Sequence, residues 1–155
     1  MKPDDFIEAI GTAAQASAAA TKIPASFTVA EAALESGWGV SQLAAQGFNL
    51  FGVKADKAWK GDTLTMRTRE FLKGKWVIVP ALWRKYADWR GCIDDHAKFL
   101  LTNPRYKPAF SCTDGESFAR AVAKAGYATD PQYADKIISV IRAHDLATLD
   151  EPAAA

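Results

Sequence analysis

Apolar residues recur at helical spacing near both ends of the chain, and the period changes in its middle. Residues 4–21 are rich in alanine and have a weak apolar face led by Phe6, which predicts a first helix. A second helix is predicted over residues 24–36, because proline suits its first turn and Gly37 can end it. A short helical turn is expected at residues 41–45.

The middle of the chain has the composition of a β-hairpin. Residues 63–71 and 76–86 are rich in Thr, Val, Ile, Trp and Phe, and Lys73-Gly74-Lys75 lies between them. Two such runs joined by a short turn that contains glycine predict a pair of antiparallel strands. Trp76, at the start of the second run, is expected in the core of the hairpin.

Helical spacing returns after the hairpin. Asp88 can cap a helix that runs to Leu101, and a shorter helix is predicted at residues 117–125. Asp130, which is followed by proline, is expected to cap a last helix that runs to about residue 144. Helices, one hairpin and helices again predict an α+β fold in which the hairpin forms a lobe beside a helical body.

Length and composition fit one globular domain. The chain has 155 residues, of which 49% are apolar and 24% charged, and no apolar run approaches the roughly 20 residues that a membrane span needs. We therefore expect a single domain over residues 1–150, a flexible tail at 151–155, a monomer, and no insertion into membranes. The acidic start of the chain has no apolar core of a signal peptide, so synthesis in the cytoplasm is expected.

Positive charge is concentrated in the middle of the chain. The net charge is +1, yet residues 54–90 hold ten Lys or Arg against four Asp or Glu, and all five tryptophans lie between positions 38 and 89. A basic, tryptophan-rich segment suits an extended polymer, either nucleic acid or a cell-wall glycan. The alternative is a solvated basic hairpin with tryptophans in its core.

The cysteines and histidines predict neither a metal site nor a cofactor. Cys92 and Cys112 form no Cys-x-x-Cys pair, and we expect them to be free thiols. His96 and His144 have no cluster of ligands at metal spacing, and His96, beside two aspartates, is expected on a helix surface. The sequence has no glycine-rich phosphate loop.

Glu35 is the strongest candidate for catalysis. It ends the second predicted helix, where the negative end of the helix dipole opposes the ionisation of a carboxyl group. Trp38, between two glycines, can line a cleft and exclude water, which also raises the pKa of a carboxyl group. A carboxyl group that stays protonated near neutral pH can act as a general acid. The alternative is an ordinary exposed glutamate in a last helical turn.

Glu70 provides a second carboxyl group in a contrasting setting. It lies near the hairpin tip among four lysines and arginines, whose charges favour its ionised form. Two carboxyl groups in contrasting environments are the acid and base pattern of glycoside hydrolysis. The alternative is a surface ion pair across the strands, which contributes little stability.

Two further residues are candidates for the wall of a cleft. Asn49 can hold a turn and point its amide into a cleft, or its turn can simply be anchored by the apolar neighbours Leu50 and Phe51. Tyr127 follows the glycine that stops a helix. Its phenol can donate a hydrogen bond, or its ring can fill a half-buried gap.

Four short motifs occur in order along the chain: Glu35-Ser36-Gly37-Trp38-Gly39, Asn49-Leu50-Phe51-Gly52-Val53-Lys54, Asn103-Pro104-Arg105-Tyr106, and Ala125-Gly126-Tyr127-Ala128-Thr129-Asp130-Pro131 followed by Tyr133, Ala134 and Lys136. Together they resemble the glucosaminidase domain of glycoside hydrolase family 73, which includes flagellar, autolytic and phage enzymes. The resemblance covers roughly residues 20–146. It implies a lysozyme-like fold with a long cleft between the helical body and the β-lobe.

The resemblance also implies a substrate and a role for each site residue. The substrate would be peptidoglycan, cut at the β-1,4 bond between N-acetylglucosamine and N-acetylmuramic acid without a cofactor or metal. Glu35 would be the proton donor, Glu70 the second glutamate, and Tyr127 the active-site tyrosine. The side chains expected to contact the glycan are Trp38, Asn49 and Phe51.

Several alternatives stay open at this point. The second step of the reaction can be covalent and retaining, inverting, or carried by the acetamido oxygen of the substrate. The enzyme could be a muramidase or lytic transglycosylase on the same polymer, or the domain could bind peptidoglycan without cutting it. Nucleic-acid binding ranks below these, because the basic segment also holds the candidate carboxylate Glu70. A bare catalytic domain further suggests a phage or prophage endolysin that a holin pore releases to the wall.

Overall fold

The computed structural model describes residues 1–151 of the chain. These residues contain six α-helices, one two-stranded antiparallel sheet and two 3₁₀ helices. The predicted α+β class is confirmed. Helices α1 to α6 span Pro3–Thr21, Ala25–Ser36, Gln42–Gly47, Trp89–Thr102, Gly115–Lys124 and Tyr133–Ala143. Strands β1 and β2 span Thr63–Leu72 and Lys75–Arg84, and the 3₁₀ helices span Pro104–Ser111 and Leu146–Asp150. Residues 152–155 of the predicted tail lie outside the described residues. None of the helices within residues 1–151 has the length and apolar character needed to cross a membrane.

Local capping explains where most helices begin and end. The side chain of Asp88 accepts a backbone N–H of the first turn of α4 at 2.8 Å, as predicted. Gly37 has φ 58° and ends α2. The last helix differs from the prediction, because α6 begins at Tyr133 and Asp130 is not its cap. The carboxylate of Asp130 accepts the N–H of Gln132 at 2.9 Å, so it closes a turn before the helix starts.

The hairpin forms with the predicted pairing but not with the predicted core. Lys73 and Gly74 form its two-residue turn with φ 51° and 76°, the left-handed values that such a turn requires. Trp76 was predicted in the hairpin core, and this is wrong, since the residue is 64% exposed and lies opposite Phe71. Side chains alternate between the faces of a strand, and the half-buried face is the one that carries Trp83.

Helix α2 runs through the centre of the helical body. Ten of its twelve residues are buried, as expected for a helix that is apolar on nearly every side. Helices α1, α5 and α6 and the second 3₁₀ helix pack around it. At Gly115 a Cβ atom would lie 2.1 Å from the Ser26 hydroxyl, so α5 approaches α2 at a glycine. Helix α2 therefore carries Glu31 into the core and places Glu35 at its exposed C-terminal end.

Phe118 anchors α5 in this core. The residue is fully buried, and its ring lies 4.8 Å from the ring of Phe27 and 5.5 Å from that of Phe110, measured between centroids. We expect Phe118→Ala to lower the free energy of unfolding by about 3–5 kcal/mol, because it leaves a cavity among apolar neighbours. Urea unfolding at fixed pH measures this, with Phe71→Ala on the exposed hairpin as the control. A loss below about 1 kcal/mol for Phe118→Ala would contradict this packing.

Both cysteines are free, as predicted. Cys92 lies in the core, where its sulfur accepts the backbone N–H of Leu50 at 3.3 Å. Burial raises the pKa of this thiol to about 12. Cys92 therefore stays protonated and is not a nucleophile, while Cys112 is half-buried.

Candidate active site

A cavity of about 390 Å³ opens where the C-terminal end of α2 meets the loop at residues 51–53, α4 and the turn after α5. Two larger cavities, of about 530 and 550 Å³, are lined neither by Glu35 nor by Tyr127. The side chains in its wall, rather than its size, make the smaller cavity the candidate site. Side chains in its wall include Glu35, Phe51, Val53, Arg84, His96 and Tyr127.

Glu35 lies in the last turn of α2 and lines this cavity. The residue is exposed, but the protein around its carboxyl group removes part of its hydrating water. This loss of water is the main cause that raises the pKa of Glu35, and the negative charge of Glu31 raises it further. The positive charge of His96 opposes both effects. The net result is a carboxyl group that keeps its proton to a higher pH than a free glutamate, as a general acid requires.

The structure places Trp38 elsewhere than in the cavity wall. Its indole packs against the rings of Phe6 and His144, with centroids 5.7 Å and 4.6 Å away. Its backbone has φ 60°, so the chain reverses just after α2 and carries the side chain to α1. Trp38 therefore packs on Phe6 and His144 rather than on the carboxyl group of Glu35, as had been expected. The neighbouring side chain that raises the pKa of Glu35 is Glu31.

Asn49 supports the cavity wall from behind, instead of lining it as predicted. Only 1% of the residue is exposed. Its amide donates to the backbone carbonyls of Val53 at 3.0 Å and Arg84 at 2.9 Å, and it accepts the N–H of Val53 at 3.0 Å. These bonds use the whole amide and tie the loop to the end of β2. Phe51 does line the cavity, and its ring stacks on His96 with centroids 4.0 Å apart.

Four polar side chains meet beside the cavity and form what we term the Glu31 network: Glu31, His96, Tyr127 and Tyr133. The hydroxyl of Tyr127 donates to Glu31 Oε1 at 2.7 Å, and the hydroxyl of Tyr133 donates to the other oxygen. The Nε2 atom of His96 lies 2.7 Å from Glu31 Oε1. Glu31 is fully buried, and two hydroxyl donors together with the close imidazole of His96 surround its carboxyl group in the core.

The network changes two of the expectations from sequence. His96 was predicted on a helix surface, and this is wrong, because only 7% of it is exposed and it packs between Phe51 and Glu31. Tyr127 lines the cavity, but its hydroxyl donates to Glu31, and burial raises the pKa of Tyr127 so that it keeps its proton. Sequence reasoning missed Glu31 and Tyr133. The available signal was an acidic residue in the middle of a largely apolar helix, four positions before Glu35.

Glu70 is not brought to this cavity. It lies half-buried in β1, and its carboxylate accepts a hydrogen bond from Lys54 Nζ at 2.7 Å. The cation that contacts Glu70 is therefore Lys54, from the loop before the hairpin, and not one of the four hairpin lysines and arginines named from the sequence. The two candidate carboxyl groups, Glu35 and Glu70, therefore do not line one cavity in this conformation. Over residues 1–151, no three His, Cys, Asp or Glu side chains form a group that could hold a metal ion.

The fold and the acid in its cleft define a lysozyme-like glycoside hydrolase domain. The catalytic domain of the autolysin Auto from Listeria monocytogenes matches it with a TM-score of 0.86 and 31% identity, covering 95% of this chain and 86% of that one. The truncated glycoside hydrolase domain of FlgJ from Salmonella typhimurium matches with a TM-score of 0.82 and 34% identity. That match covers 93% of this chain and 98% of that one.

The chain belongs to the glucosaminidase family, described as mannosyl-glycoprotein endo-beta-N-acetylglucosaminidase, whose profile matches residues 11–146. The resemblance to glycoside hydrolase family 73 is thereby confirmed. The peptidoglycan hydrolase FlgJ of Vibrio parahaemolyticus is 40% identical over 142 residues, which are 89% of this chain and 46% of that protein. The exo-glucosaminidase LytG of Bacillus subtilis is 40% identical over 151 residues, which are 94% and 53%. The chain thus spans about half the length of these relatives.

Proposed function

We propose that residues 1–150 are the catalytic domain of a peptidoglycan hydrolase that cuts the β-1,4 bond between N-acetylglucosamine and N-acetylmuramic acid. The observation that carries this proposal is Glu35, a carboxyl group with a raised pKa in a cavity that also has aromatic walls. The names of the relatives support the substrate, since FlgJ is a peptidoglycan hydrolase and LytG an exo-glucosaminidase.

In the proposed reaction Glu35 protonates the glycosidic oxygen while the bond from that oxygen to C1 of the sugar breaks. The sugar then carries positive charge at C1, and the carboxylate left on Glu35 lies beside it. The ring of Phe51 offers an apolar face to the sugar. Water finally adds its hydroxyl to C1, and the remaining proton of that water restores the carboxyl group of Glu35.

The role of Glu70 in this reaction requires movement of the hairpin. Its carboxylate is held by Lys54 and lies outside the cavity wall. Closure of the hairpin lobe over a bound glycan would bring Glu70 toward the sugar, where it could stabilise charge or orient water. The acetamido oxygen of the substrate can attack C1 without any such movement, and Glu70 would assist that route only after the hairpin has closed.

Analysis of the products tests the bond that is cut. Purified peptidoglycan is digested, the fragments are reduced with borohydride, and their masses are measured. We expect reduced N-acetylglucosamine at the new ends. Reduced N-acetylmuramic acid would identify a muramidase, and anhydro-muramic ends would identify a lytic transglycosylase. No fragments from folded protein would leave a module that only binds the wall and would overturn the proposal.

The raised pKa of Glu35 predicts how activity depends on pH. An ionised Glu35 cannot protonate the leaving group, so hydrolysis should fall as pH rises through the pKa of this residue. We expect the midpoint of that fall clearly above about pH 4.3, the ordinary value for glutamate. Initial rates on purified peptidoglycan at constant ionic strength and low substrate measure it. A midpoint at the ordinary value would contradict the role of the surrounding protein.

Two proposals concern the whole protein and rest on the sequence alone. Release through a holin pore, as a phage or prophage endolysin, stays a prediction. Action as a monomer stays a prediction as well. Action at the cell wall follows from the substrate proposed above, because peptidoglycan is the polymer of that wall.

A further inference from the structure

Glu31 is a charged residue at the centre of an apolar helix. It is fully buried, and an unpaired carboxylate in such a place would be strongly destabilising. Two hydroxyl donors, from the turn after α5 and the start of α6, and a close contact with the His96 ring on α4 compensate this cost. An apolar residue would fill the same position without needing these partners. The arrangement therefore calls for a reason beyond packing.

We propose that Glu31 is a positioning residue for the reaction, whose carboxylate fixes the Tyr127 hydroxyl and the His96 ring in the cavity wall beside Glu35. The inference rests on the proposed role of Glu35 as proton donor. It assigns a function to a buried group that does not itself reach the substrate.

The geometry of α2 supports this assignment. Glu31 and Glu35 are four residues apart, so they lie on the same face of the helix, one turn from each other. Glu31 contacts both Tyr127 and His96, and each of these lines the cavity. His96 in turn stacks on Phe51, a third wall residue. One buried carboxylate thus orients three side chains around the acid.

The charges around Glu35 also support the assignment of Glu31 as a positioning residue, in addition to the contacts described above. The negative charge of Glu31 raises the pKa of Glu35, whereas the positive charge of His96 lowers it by a smaller amount. Together they favour the protonated form of Glu35. The other charged or titratable groups that face this pair are Asp95 on α4, Arg84 on β2, Tyr106 in the first 3₁₀ helix, Tyr127 and Tyr133. Arg84 and Asp95 are paired with each other at 2.8 Å, so their charges largely cancel.

Glu31→Gln is the most direct test, because the amide has the shape of the carboxyl group but no charge. Its oxygen can still accept from a hydroxyl, and its NH₂ group can donate to another. We expect a folded protein whose alkaline midpoint for hydrolysis lies about half a pH unit to one unit lower than that of the wild type. We also expect kcat to fall about 10-fold at the pH optimum, because Tyr127 and His96 are less firmly held. Circular dichroism and melting temperature monitor the fold.

Two further variants separate charge from stability. His96→Gln removes the opposing positive charge, so its alkaline midpoint should move to higher pH. Phe118→Ala weakens the core outside the Glu31 network, and its midpoint should stay at the wild-type value. A shift in Phe118→Ala equal to that in Glu31→Gln would mean that lost stability alone moves the midpoint, and it would overturn the inference.

The outcomes are distinguishable from a failure of the proposed function. A Glu31→Gln profile that superposes on the wild type, with unchanged kcat, would make Glu31 merely structural. A folded Glu31→Gln protein that is inactive at every pH would make Glu31 a direct participant, which also contradicts positioning. If Glu31→Gln does not fold, the His96→Gln variant provides the test. An alkaline midpoint of hydrolysis in His96→Gln equal to that of the wild type would then overturn the inference. Retained hydrolysis in Glu35→Gln would instead refute the proton donor itself.

Discussion

Glu35→Gln should reduce the kcat/KM for peptidoglycan hydrolysis by about 10²–10⁴-fold while the protein stays folded. The amide has nearly the same shape as the carboxyl group but cannot give a proton to the glycosidic oxygen. Glu35 lines the cavity and makes no side-chain hydrogen bond or ion pair with the rest of residues 1–151, so its replacement should leave the fold intact. Release of reducing ends from purified peptidoglycan, measured across the pH range, gives the rates.

The matched control is Glu116→Gln. Glu116 also lies on a helix of the body, where it pairs with Arg142 at 2.7 Å, but it is not part of the cavity wall. We expect wild-type hydrolysis from this variant. Near-wild-type hydrolysis by Glu35→Gln would remove the central proposal, and equal losses in both variants would point to a general effect of removing an acid.

The pH dependence of the melting temperature of Glu35→Gln provides a second test. Because the pKa of Glu35 is raised in the folded state, the folded protein binds the proton of this carboxyl group more tightly than the unfolded chain does. The stabilising contribution is complete below the unfolded pKa and is lost as pH rises through the folded pKa. Glu35→Gln cannot ionise, so its melting temperature should match the wild type at low pH and equal or exceed it at higher pH. A less stable variant at all pH values would attribute lost activity to lost folding.

Much of the fold could be predicted because its signals are local. Asp88 caps a helix through a bond within its own first turn, and Lys73-Gly74 can adopt the backbone that a tight turn needs. The 3₁₀ helix at Pro104–Ser111 escaped prediction, because such short pieces have weak periodicity. Trp76 was misplaced for another reason. Its face of the hairpin is set by which side packs on the body, and no local pattern encodes that choice.

The residues of the candidate site also fall into those that local motifs predict and those that depend on long-range packing. Glu35, Phe51 and Tyr127 were found through short motifs, and all three line the cavity. The Glu31 network was not found, since the hydrogen bond between Glu31 and Tyr127 joins residues 96 positions apart. The buried partner of a candidate catalytic group depends on how distant helices pack. In the sequence, such a partner is indicated only by a polar residue in a largely apolar helix.

Glu70→Gln should lower kcat/KM by about 100-fold, the second largest effect that we expect. The amide retains the size of the side chain but not the charge that would stabilise the sugar or orient water after the hairpin closes. The change should alter the free energy of unfolding by less than about 1 kcal/mol, because the lost ion pair with Lys54 is partly exposed to solvent. Rates on purified peptidoglycan and urea unfolding measure the two effects separately.

Lys54→Met distinguishes the charge of Glu70 from its ion pair. This variant breaks the same pair but leaves the carboxylate, so its loss of activity should stay below about 10-fold if the carboxylate acts on the substrate. Equal losses in Lys54→Met and Glu70→Gln would mean that the pair matters through the hairpin's position alone. Activity of Glu70→Gln within twofold of the wild type would make Glu70 a surface ion-pair residue. In that case the acetamido oxygen of the substrate would have to supply the nucleophile, with Glu35 as the one catalytic carboxyl group.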